Sequence, residues 1–404
     1  MSDFRKAPPA PPEANLGNIT PFRPDRRRQV CGLLKSLSVL GLLCFLIYSV
    51  WNYHEQLSLT NLRRMAAYLS DAWASGGMGA AGVSFPFEAD SVYCSFGDGL
   101  AALSGDTLSF INAQGQEQLR AQLKYANPAL SAAADNLLAY DRGGKSLCLT
   151  NRYAALWQIQ LESDIISASV NYNGAFSVVT DEQGYRAAVT LYDNRKKPRF
   201  KWSTSEYYIM KSCVSPDARR LAALCMSEEG GRRVSVVRVF ATDREEPLFD
   251  IPLGDLTVYS MEYYEQDSLM LVTDRGVFSY DEEGQERGRF EYSKGAAVTF
   301  CHEMGRLPCV VLETGEKNQR SRAAVIDENG GLAFDRYYAD AARDISYGGD
   351  YVALLLRDRV EQASILPGGE ETSCQEVNAR AVLQREDGGL VLIYADRAEL
   401  LYLD

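Results

Sequence analysis

One turn is written four times along this chain. It reads INAQGQ at 111–116, YDNRKK at 192–197, YDEEGQ at 280–285 and IDENGG at 326–331. Each time a β-forming residue precedes Asn or Asp, and Gly follows three places after that Asn or Asp, with Lys196 standing in once. The residue types are those of a four-residue hairpin loop. The Asx side chain hydrogen-bonds the backbone ahead of it, and Gly takes the left-handed conformation that closes the loop. Lys196 departs from that rule and makes 192–197 the weakest instance. The starts lie 81, 88 and 46 residues apart, or two, two and one multiples of a period in the low forties. In an all-strand region that period predicts a β-propeller with one four-stranded blade per repeat. A β-sandwich, the competing architecture, leaves the period unexplained.

Strand character agrees. SLMLVT (268–273), YVALLL (351–356) and LVLIY (390–394) are continuous apolar runs, as expected of strands buried on both faces between neighbouring blades. PRFKWS (198–203) and RGRFEY (287–292) alternate charge with aromatic residues and belong at an outer edge, where charge discourages pairing. Blade cores fall near 91–124, 129–162, 165–203, 207–251, 256–292, 296–337, 342–375 and 378–403. The count is eight, with seven as the alternative because the first is poorly bounded. The last blade offers only three strands: 379–383, 390–394 and 399–403. Val83-Ser84-Phe85-Pro86-Phe87 alternates apolar and small residues, so 83–87 is expected as its outer strand, pairing near 398–403. Pro86 is tolerated on an edge strand.

Ahead of the propeller the chain changes character. Residues 1–30 are Pro-rich and basic, without periodicity, and read as a disordered cytoplasmic tail. From Leu33 to Trp51 the sequence LLKSLSVLGLLCFLIYSVW is apolar apart from Lys35 and a few serines. At ~1.5 Å per residue it spans roughly 29 Å, about one bilayer core, so 31–51 is expected as a transmembrane helix. A cleaved signal peptide would want small residues after the core, and WNYHEQ (51–56) has none. Arg26-Arg27-Arg28 and Lys35 place the N-terminus in the cytoplasm and the rest outside. The sole N-x-S/T sequon, Asn18-Ile19-Thr20, falls on the cytoplasmic side, in keeping with a bacterial cell surface. Within 52–82, SLTNLRRMAAYLSDAWA (58–74) sets Leu62, Met65, Ala66, Leu69 and Trp73 at helical spacing, a short stalk helix. SGGMGAAG (75–82) follows as a flexible joint. The propeller then occupies 83–404.

The charge is uneven. The chain carries 42 Lys/Arg and 54 Asp/Glu. Seven basic and three acidic residues lie in 1–51, which leaves a net −16 beyond it. So acidic a body repels phosphate backbones and excludes nucleic acid as a partner. Cys94, Cys148, Cys213, Cys225, Cys301, Cys309 and Cys374 lie outside the anchor, mostly in apolar strand-like runs, and are expected as buried free thiols. Cys301 with Cys309, across one hairpin, is the best disulfide candidate.

Residues that could carry chemistry are sparse. Neither His54 nor His302 sits in metal-ligand spacing, and no nucleophile elbow is present. The pairs Asp181-Glu182 and Glu282-Glu283 lie in expected turns, where acids are solvated. SGGMG (75–79) lacks the strand and Lys-Ser/Thr of a phosphate loop. Ser215-Pro216-Asp217 reads as a turn. The doublets Tyr207-Tyr208, Tyr263-Tyr264 and Tyr337-Tyr338 could build an aromatic surface at one mouth; the plainer expectation puts one Tyr of each pair in the core and one on the rim. No catalytic, cofactor or metal residue is assigned, and no ligand-binding residue is identified.

GYRAAVTLYDNRKKPRFKW (184–202), followed by YYIMKSCVSPDARRLAAL (207–224), resembles the bacterial proteins grouped as Domain of Unknown Function 5711. Gly184-Tyr185, the Val-x-x-Tyr-Asp of Val189 to Asp193, Trp202 and Ser215-Pro216-Asp217 carry the resemblance. It implies a single-pass surface protein, mostly of Gram-positive anaerobes, with no assigned activity and no catalytic residues to carry over.

Two functions are therefore weighed. The first is a membrane-anchored extracytoplasmic module, its ectodomain monomeric, that binds or scaffolds proteins or cell-envelope components without a cofactor. The second is an enzyme using the propeller channel, either a quinone-cofactor dehydrogenase or a glycan-processing activity. Quinone propellers spend about one Trp per blade on docking, whereas this chain has four, with Trp51 in the anchor and Trp73 in the stalk. The binding module is the reading adopted.

Overall fold

The computed structural model describes residues 26–53 and 83–403, apart from 87–90, 98, 105, 152–156, 293–296, 367, 370 and 376. Side chains are described at 34–45, 47 and 48 of the first segment, and at 84 within 83–86.

All four repeated turns fold as their residues dictate. The side-chain oxygen of Asn112 accepts from the N–H groups of Gln114 (3.1 Å) and Gln116 (2.8 Å). Asp193, Asp281 and Asp327 do the same with the residues two and four places on, at 2.8–3.1 Å. The third residue on adopts φ of 76° at Gly115, 77° at Gly284 and 78° at Gly330, the left-handed region that favours glycine. Lys196 holds φ 64° there, so the exception in sequence is no exception in geometry. A fifth copy, unread in the sequence, closes 171–175, with Asn171 accepting from Asn173 and Ala175 and Gly174 at φ 77°.

Among the described residues, the strands form eight four-stranded antiparallel sheets. Blades 1 to 7 are continuous in sequence: 92–122, 128–160, 164–204, 208–254, 258–291, 297–338 and 344–375. Within each, strands one to four lie in chain order. First strands of neighbouring blades pack side by side around the axis, and that of blade 8 (Ala381–Gln384) meets that of blade 1 (Val92–Phe96). First strands are thus innermost and fourth strands outermost. The four repeated turns all join third to fourth strands, in blades 1, 3, 5 and 6, so their spacing counts blades. Strand direction alternates, so first–second and third–fourth turns gather on one face of the ring, called here the turn face. The remaining links lie on the opposite, or link, face.

The apolar runs are the second strands of blades 5, 7 and 8, with Ser268–Thr273 buried throughout. Each fully buried Leu, Val or Ile there stabilises by roughly 1.5–3 kcal/mol. The charged runs are fourth strands, Pro198–Thr204 and Glu286–Glu291, at the outer edge.

Blade 8 is built from both ends of the propeller. Ala381–Gln384, Leu390–Ile393 and Arg397–Leu401 are joined by Val83–Pro86 as the outermost strand. Val83 pairs with Leu400, Ser84 with Glu399, Phe85 with Ala398 and Pro86 with Arg397. This is the expected closure, with the register reaching Arg397; Phe87 lies outside the described residues.

Two of the expectations for the N-terminal region need revision. The first segment is one helix, Arg26–Tyr53, which begins two residues past Pro24 and takes in 26–30 of the expected tail. Among the described residues, however, no helix is long and apolar enough to cross a membrane. The structure thus supports a helix at 31–51 and leaves the membrane span unsupported. The stalk and Gly-rich joint at 54–82 lie outside the described residues.

With the ring closed, residues 82–404 are expected to fold on their own, and a fragment starting at Asp90 loses the strand that covers the edge of Arg397–Leu401. The shorter fragment is expected to melt several degrees below the longer one in parallel calorimetric scans. Equal melting temperatures would show that 83–86 contributes nothing to closure.

Candidate functional site

On the turn face one connection stands apart. The link between first and second strands of blade 6 runs seven residues, 302–308, against two to five in the other blades. It is bound to four other blades. The Tyr172 hydroxyl of blade 3 donates to the Met304 carbonyl (2.5 Å), and the Gly305 N–H donates to the Tyr263 carbonyl of blade 5 (2.8 Å). Arg306 donates to the Tyr347 carbonyl of blade 7 (3.0 Å) and to Glu386 of blade 8 (3.1 Å). Met304 is buried and belongs to the apolar cluster that holds Cys213, Met261 and Tyr263. Blades 3 and 6 are three places apart in the ring of eight and blade 8 lies on the other side of blade 6, so a loop of blade 6 bonded to both 3 and 8 reaches inward over the central channel. Gly305 has φ 70°, and a Cβ there would sit 1.8 Å from the Tyr172 oxygen, so only glycine fits this crossing.

Charged groups collect beneath the loop. Lys211 and Glu262, on the first strands of blades 4 and 5, form an ion pair at 2.7 Å. Glu303 pairs with Arg306 at 2.7 Å, and Arg306 reaches Glu386 on its other side. Lys211 and Glu303 lie inside the ring yet keep 33% and 35% of their side-chain surface accessible, as channel-lining groups do. Burial lifts the Glu303 carboxyl above its ordinary range; Arg306 opposes this, while Glu262 and Glu386 add to it. Burial works against the Lys211 cation, but the Glu262 carboxylate outweighs it and the ammonium is held above its usual value. Burial, with the Lys211 charge second, pulls His302 down to about 3, and both its ring nitrogens are buried without a protein partner. The imidazole is therefore neutral at physiological pH.

Chemically, this arrangement is a set of satisfied ion pairs holding a loop in place. Among the described residues no group of three or more His, Cys, Asp or Glu is disposed to hold a metal ion. A cleft of about 700 Å³ opens beside the loop. Tyr172, Pro216, Asp217, Arg220, Tyr264 and Glu282 are among its lining residues. Its charges are largely matched internally: Arg220 meets the Glu282 carboxylate at 3.1 Å and its carbonyl at 2.9 Å. Tyr172 serves both cleft and loop, lining the one and donating its hydroxyl to the Met304 carbonyl of the other.

The residues singled out in the sequence fall as follows. Tyr263 and Tyr338 are buried while Tyr264 is half-buried and Tyr337 exposed, so the plainer reading holds for those two doublets; in the third, Tyr207 is half-buried and Tyr208 exposed, and neither lies in the core. Ser215-Pro216-Asp217 is a turn: the Ser215 hydroxyl donates to Asp217 (2.7 Å) and accepts from the Arg220 N–H (2.9 Å). Glu182 is engaged by Lys201 at 2.9 Å and Glu282 by Arg220, so neither is a lone solvated acid. Cys301 and Cys309 are cross-strand neighbours at the base of the loop, and every described cysteine is free. Burial pushes the Cys301 thiol up to about 12. His54 lies outside the described residues. The crossing loop itself was unread, although CHEMGRLPC is long for a hairpin turn and the loop contains both a histidine and a Gly-Arg pair.

Two outcomes follow from this geometry. Gly305→Ala should displace the loop, lowering the melting temperature and raising the accessibility of Cys301 and Cys309 to a thiol reagent; unchanged labelling would show the crossing tolerates a side chain. His302 is neutral in the fold down to about pH 3, but in the unfolded chain it takes up a proton near 6.5. Between those values the unfolded state binds the extra proton, so stability falls as pH drops through that window and the loss is absent above it. Glu303, with its raised value, acts in the opposite sense, so the variant is compared with its parent. His302→Gln should shrink the stability difference between neutral and mildly acidic solution in urea titrations, and an unchanged difference would mean that His302 titrates as it does when exposed.

Comparison with known proteins adds the following. A profile described as "Family of unknown function (DUF5711)" matches residues 84–365, from the closing strand into blade 7. The C-terminal WD40 domain of Sif2 is similar at 11% identity and TM-score 0.54, over 81% of this chain and all of that one. BamB from Moraxella catarrhalis gives 13% identity and TM-score 0.47, over 80% of this chain and 98% of that one. The Cps50 (Swd1) propeller of Myceliophteria thermophila gives 9% identity and TM-score 0.45, over 79% and 97%. At these identities the likeness concerns the fold alone. None of the curated proteins compared matches the chain.

Proposed function

We propose that this chain, which belongs to the DUF5711 family, is a binding or scaffolding module for proteins or cell-envelope components. In this reading it is tethered to the cytoplasmic membrane by 31–51 and its propeller stands outside. The observation that carries the binding role is the loop over the channel. Bonded to blades 3, 5, 7 and 8, it covers the channel at the turn face and leaves the faces of the ring to meet a partner. Chemistry routed through the channel gains no support from this arrangement. Trp157 and Trp202 stand on the outermost strands of blades 2 and 3, away from the axis where a planar cofactor would dock.

The tether rests on sequence and on the helix taken by itself. Leu34, Leu37, Leu40, Leu43, Phe45 and Ile47 are all exposed on it. Exposed apolar side chains in that number are suited to an apolar surround, with Lys35, Ser36 and Ser38 the polar residues among them. The positive charge at its N-terminal end favours a cytoplasmic N-terminus.

Protease added to intact cells stripped of their wall should remove a C-terminal epitope tag and spare an N-terminal one; the reverse pattern would overturn both topology and location. Crosslinking at the same cell surface should capture a protein or glycan on the propeller. If only uncrosslinked chain is recovered while the propeller is folded, the binding role fails.

A further inference from the structure

The innermost strands of blades 3, 4, 5 and 6 share an irregularity. In each, one residue near the start of the first strand is left over where it pairs with the second, and blade 5 has a further slip at Tyr264 near its turn. Ile166 falls between the pairs Ile165–Thr180 and Ser167–Val179, and Met210 between Ile209–Cys225 and Lys211–Leu224. Tyr259 falls between Val258–Thr273 and Ser260–Val272, and Val298 between Ala297–Leu312 and Thr299–Val311. All four bulges lie near the start of the strand, at a common height toward the link face. First strands of blades 1, 2, 7 and 8 pair without a slip. Half of the ring therefore differs from the other half at the same level.

A bulge re-aims one side chain and interrupts the ladder. Protecting the free edge of an inner strand would need only that, and a lysine would do it well. Here every bulged residue is apolar. Met210 is 46% exposed, Tyr259 45% and Val298 54%, while Ile166 is partly buried. The Tyr259 ring stacks on Phe300 of the next blade, with centroids 6.1 Å apart and planes 15° off parallel. The links that lead into three of these strands are acidic. Glu162 and Asp164 precede the bulge of blade 3, Glu206 that of blade 4 and Asp255 that of blade 5, with no Lys or Arg in 161–164, 205–208 or 255–257. Asp164 has Lys145 at 4.0 Å and Asp255 has Arg275 at 2.7 Å; Glu162 and Glu206 are exposed, the Glu206 carboxylate hydrogen-bonded to Tyr207 and its carbonyl accepting from Arg186 at 3.3 Å.

We propose that this arc, Met210, Tyr259 and Val298 at the link-face mouth with its acidic rim, docks a cationic amphipathic segment of another protein. The proposal rests on the binding role above and gives it a face and a partner chemistry. Aliphatic or aromatic side chains of the segment seat on the bulged residues, as anchors do at the centre of an interface. Its Lys and Arg side chains meet Glu162 and Glu206, and the net −16 of the chain beyond residue 51 draws it in. The same charge repels a second copy of the propeller.

The probe is a fluorescein-labelled peptide of alternating Lys and Leu, with Glu–Leu and Lys–Ser peptides as controls, titrated by anisotropy against the full chain in non-ionic detergent. The Lys–Leu peptide is expected to bind, and the combined Met210→Ser, Tyr259→Ser and Val298→Ser variant to weaken it roughly tenfold or more. Leu248→Ser, on the outer strand of blade 4, should leave binding unchanged, and the combined variant should keep the parent's melting temperature because its three sites are exposed. A benzophenone on the peptide should crosslink within 205–212 or 255–262. Equal binding of the Lys–Ser peptide would reduce the interaction to charge alone and overturn the proposal. Crosslinks at Asp217 or Glu282 would move the site to the turn-face cleft, overturning this inference while sparing the binding role. No binding of the Lys–Leu peptide, or self-association that the serine substitutions abolish, would also overturn it, the latter by assigning the arc to a second copy.

Discussion

Everything in this structure depends on four backbone pairings between the two ends of the propeller, Val83 to Pro86 against Leu400 to Arg397. A ring of blades differs from a row of blades only in having no first or last member. Blade 1 meets blade 8 through Leu100 and Ala102 against Val391, Ile393, Ala398 and Leu400, an apolar seam like those between other blades. At every other seam the chain itself continues from one blade to the next; at this one it does not. The outer strand supplies the missing covalent continuity, because it enters blade 8 from the chain that leads directly to blade 1. It also covers the edge of Arg397–Leu401, which would otherwise present unpaired N–H and C=O groups.

Once the ring is closed, neighbouring blades are held at two radii. Near the axis the contact is apolar. At the rim it is made by arginines on third strands. Arg238 of blade 4 is bidentate to Asp250 at 2.8 and 2.7 Å and lies over the rings of Trp202 and Tyr207. Arg322 of blade 6 is bidentate to Asp335 at 2.7 and 3.0 Å and lies over Phe290 and Tyr337. In each case one ring belongs to the preceding blade, Trp202 or Phe290, so the guanidinium bridges the seam. Such contacts contribute ~0.5–1 kcal/mol each at partly exposed sites. They also engage two of the tyrosine doublets: Tyr207 and Tyr337 face these arginines, and Tyr208 faces Arg186.

The blade count was legible because the signal that marks it is local. An Asx oxygen reaching two and four residues on, and a left-handed residue one place before the end, are decided within six residues, so Asn112, Asp193, Asp281 and Asp327 announce themselves in the sequence. The pairing of 83–86 was legible for a similar reason: an alternating pentapeptide with Pro86 fits only an edge, and one blade lacked a strand. The channel loop was not legible. Its anchors, Tyr172, Tyr263 and Tyr347, lie 132, 42 and 41 residues from their partners and bond through backbone carbonyls or a hydroxyl that no motif records. The bulges left a fainter trace. Ile165-Ile166, Ile209-Met210, Val258-Tyr259 and Ala297-Val298 are adjacent apolar pairs that open a strand, and period-two alternation can bury only one member of each.

The features left over once the ring itself is explained all fall on the same half of it. The bulged inner strands belong to blades 3 to 6, the crossing loop to blade 6, and the cleft to blades 3 to 5. Repetition alone produces eight equivalent blades, and packing between them needs no such asymmetry. The Lys211–Glu262 pair lies between the two levels. Lys211 follows the bulged Met210 directly, and its charge reaches His302 beneath the loop on the other face. Blades 1, 2, 7 and 8 close the ring, while blades 3 to 6 carry the departures from repetition, and a selective surface has to be built from such departures because the repeat presents the same residues in every direction.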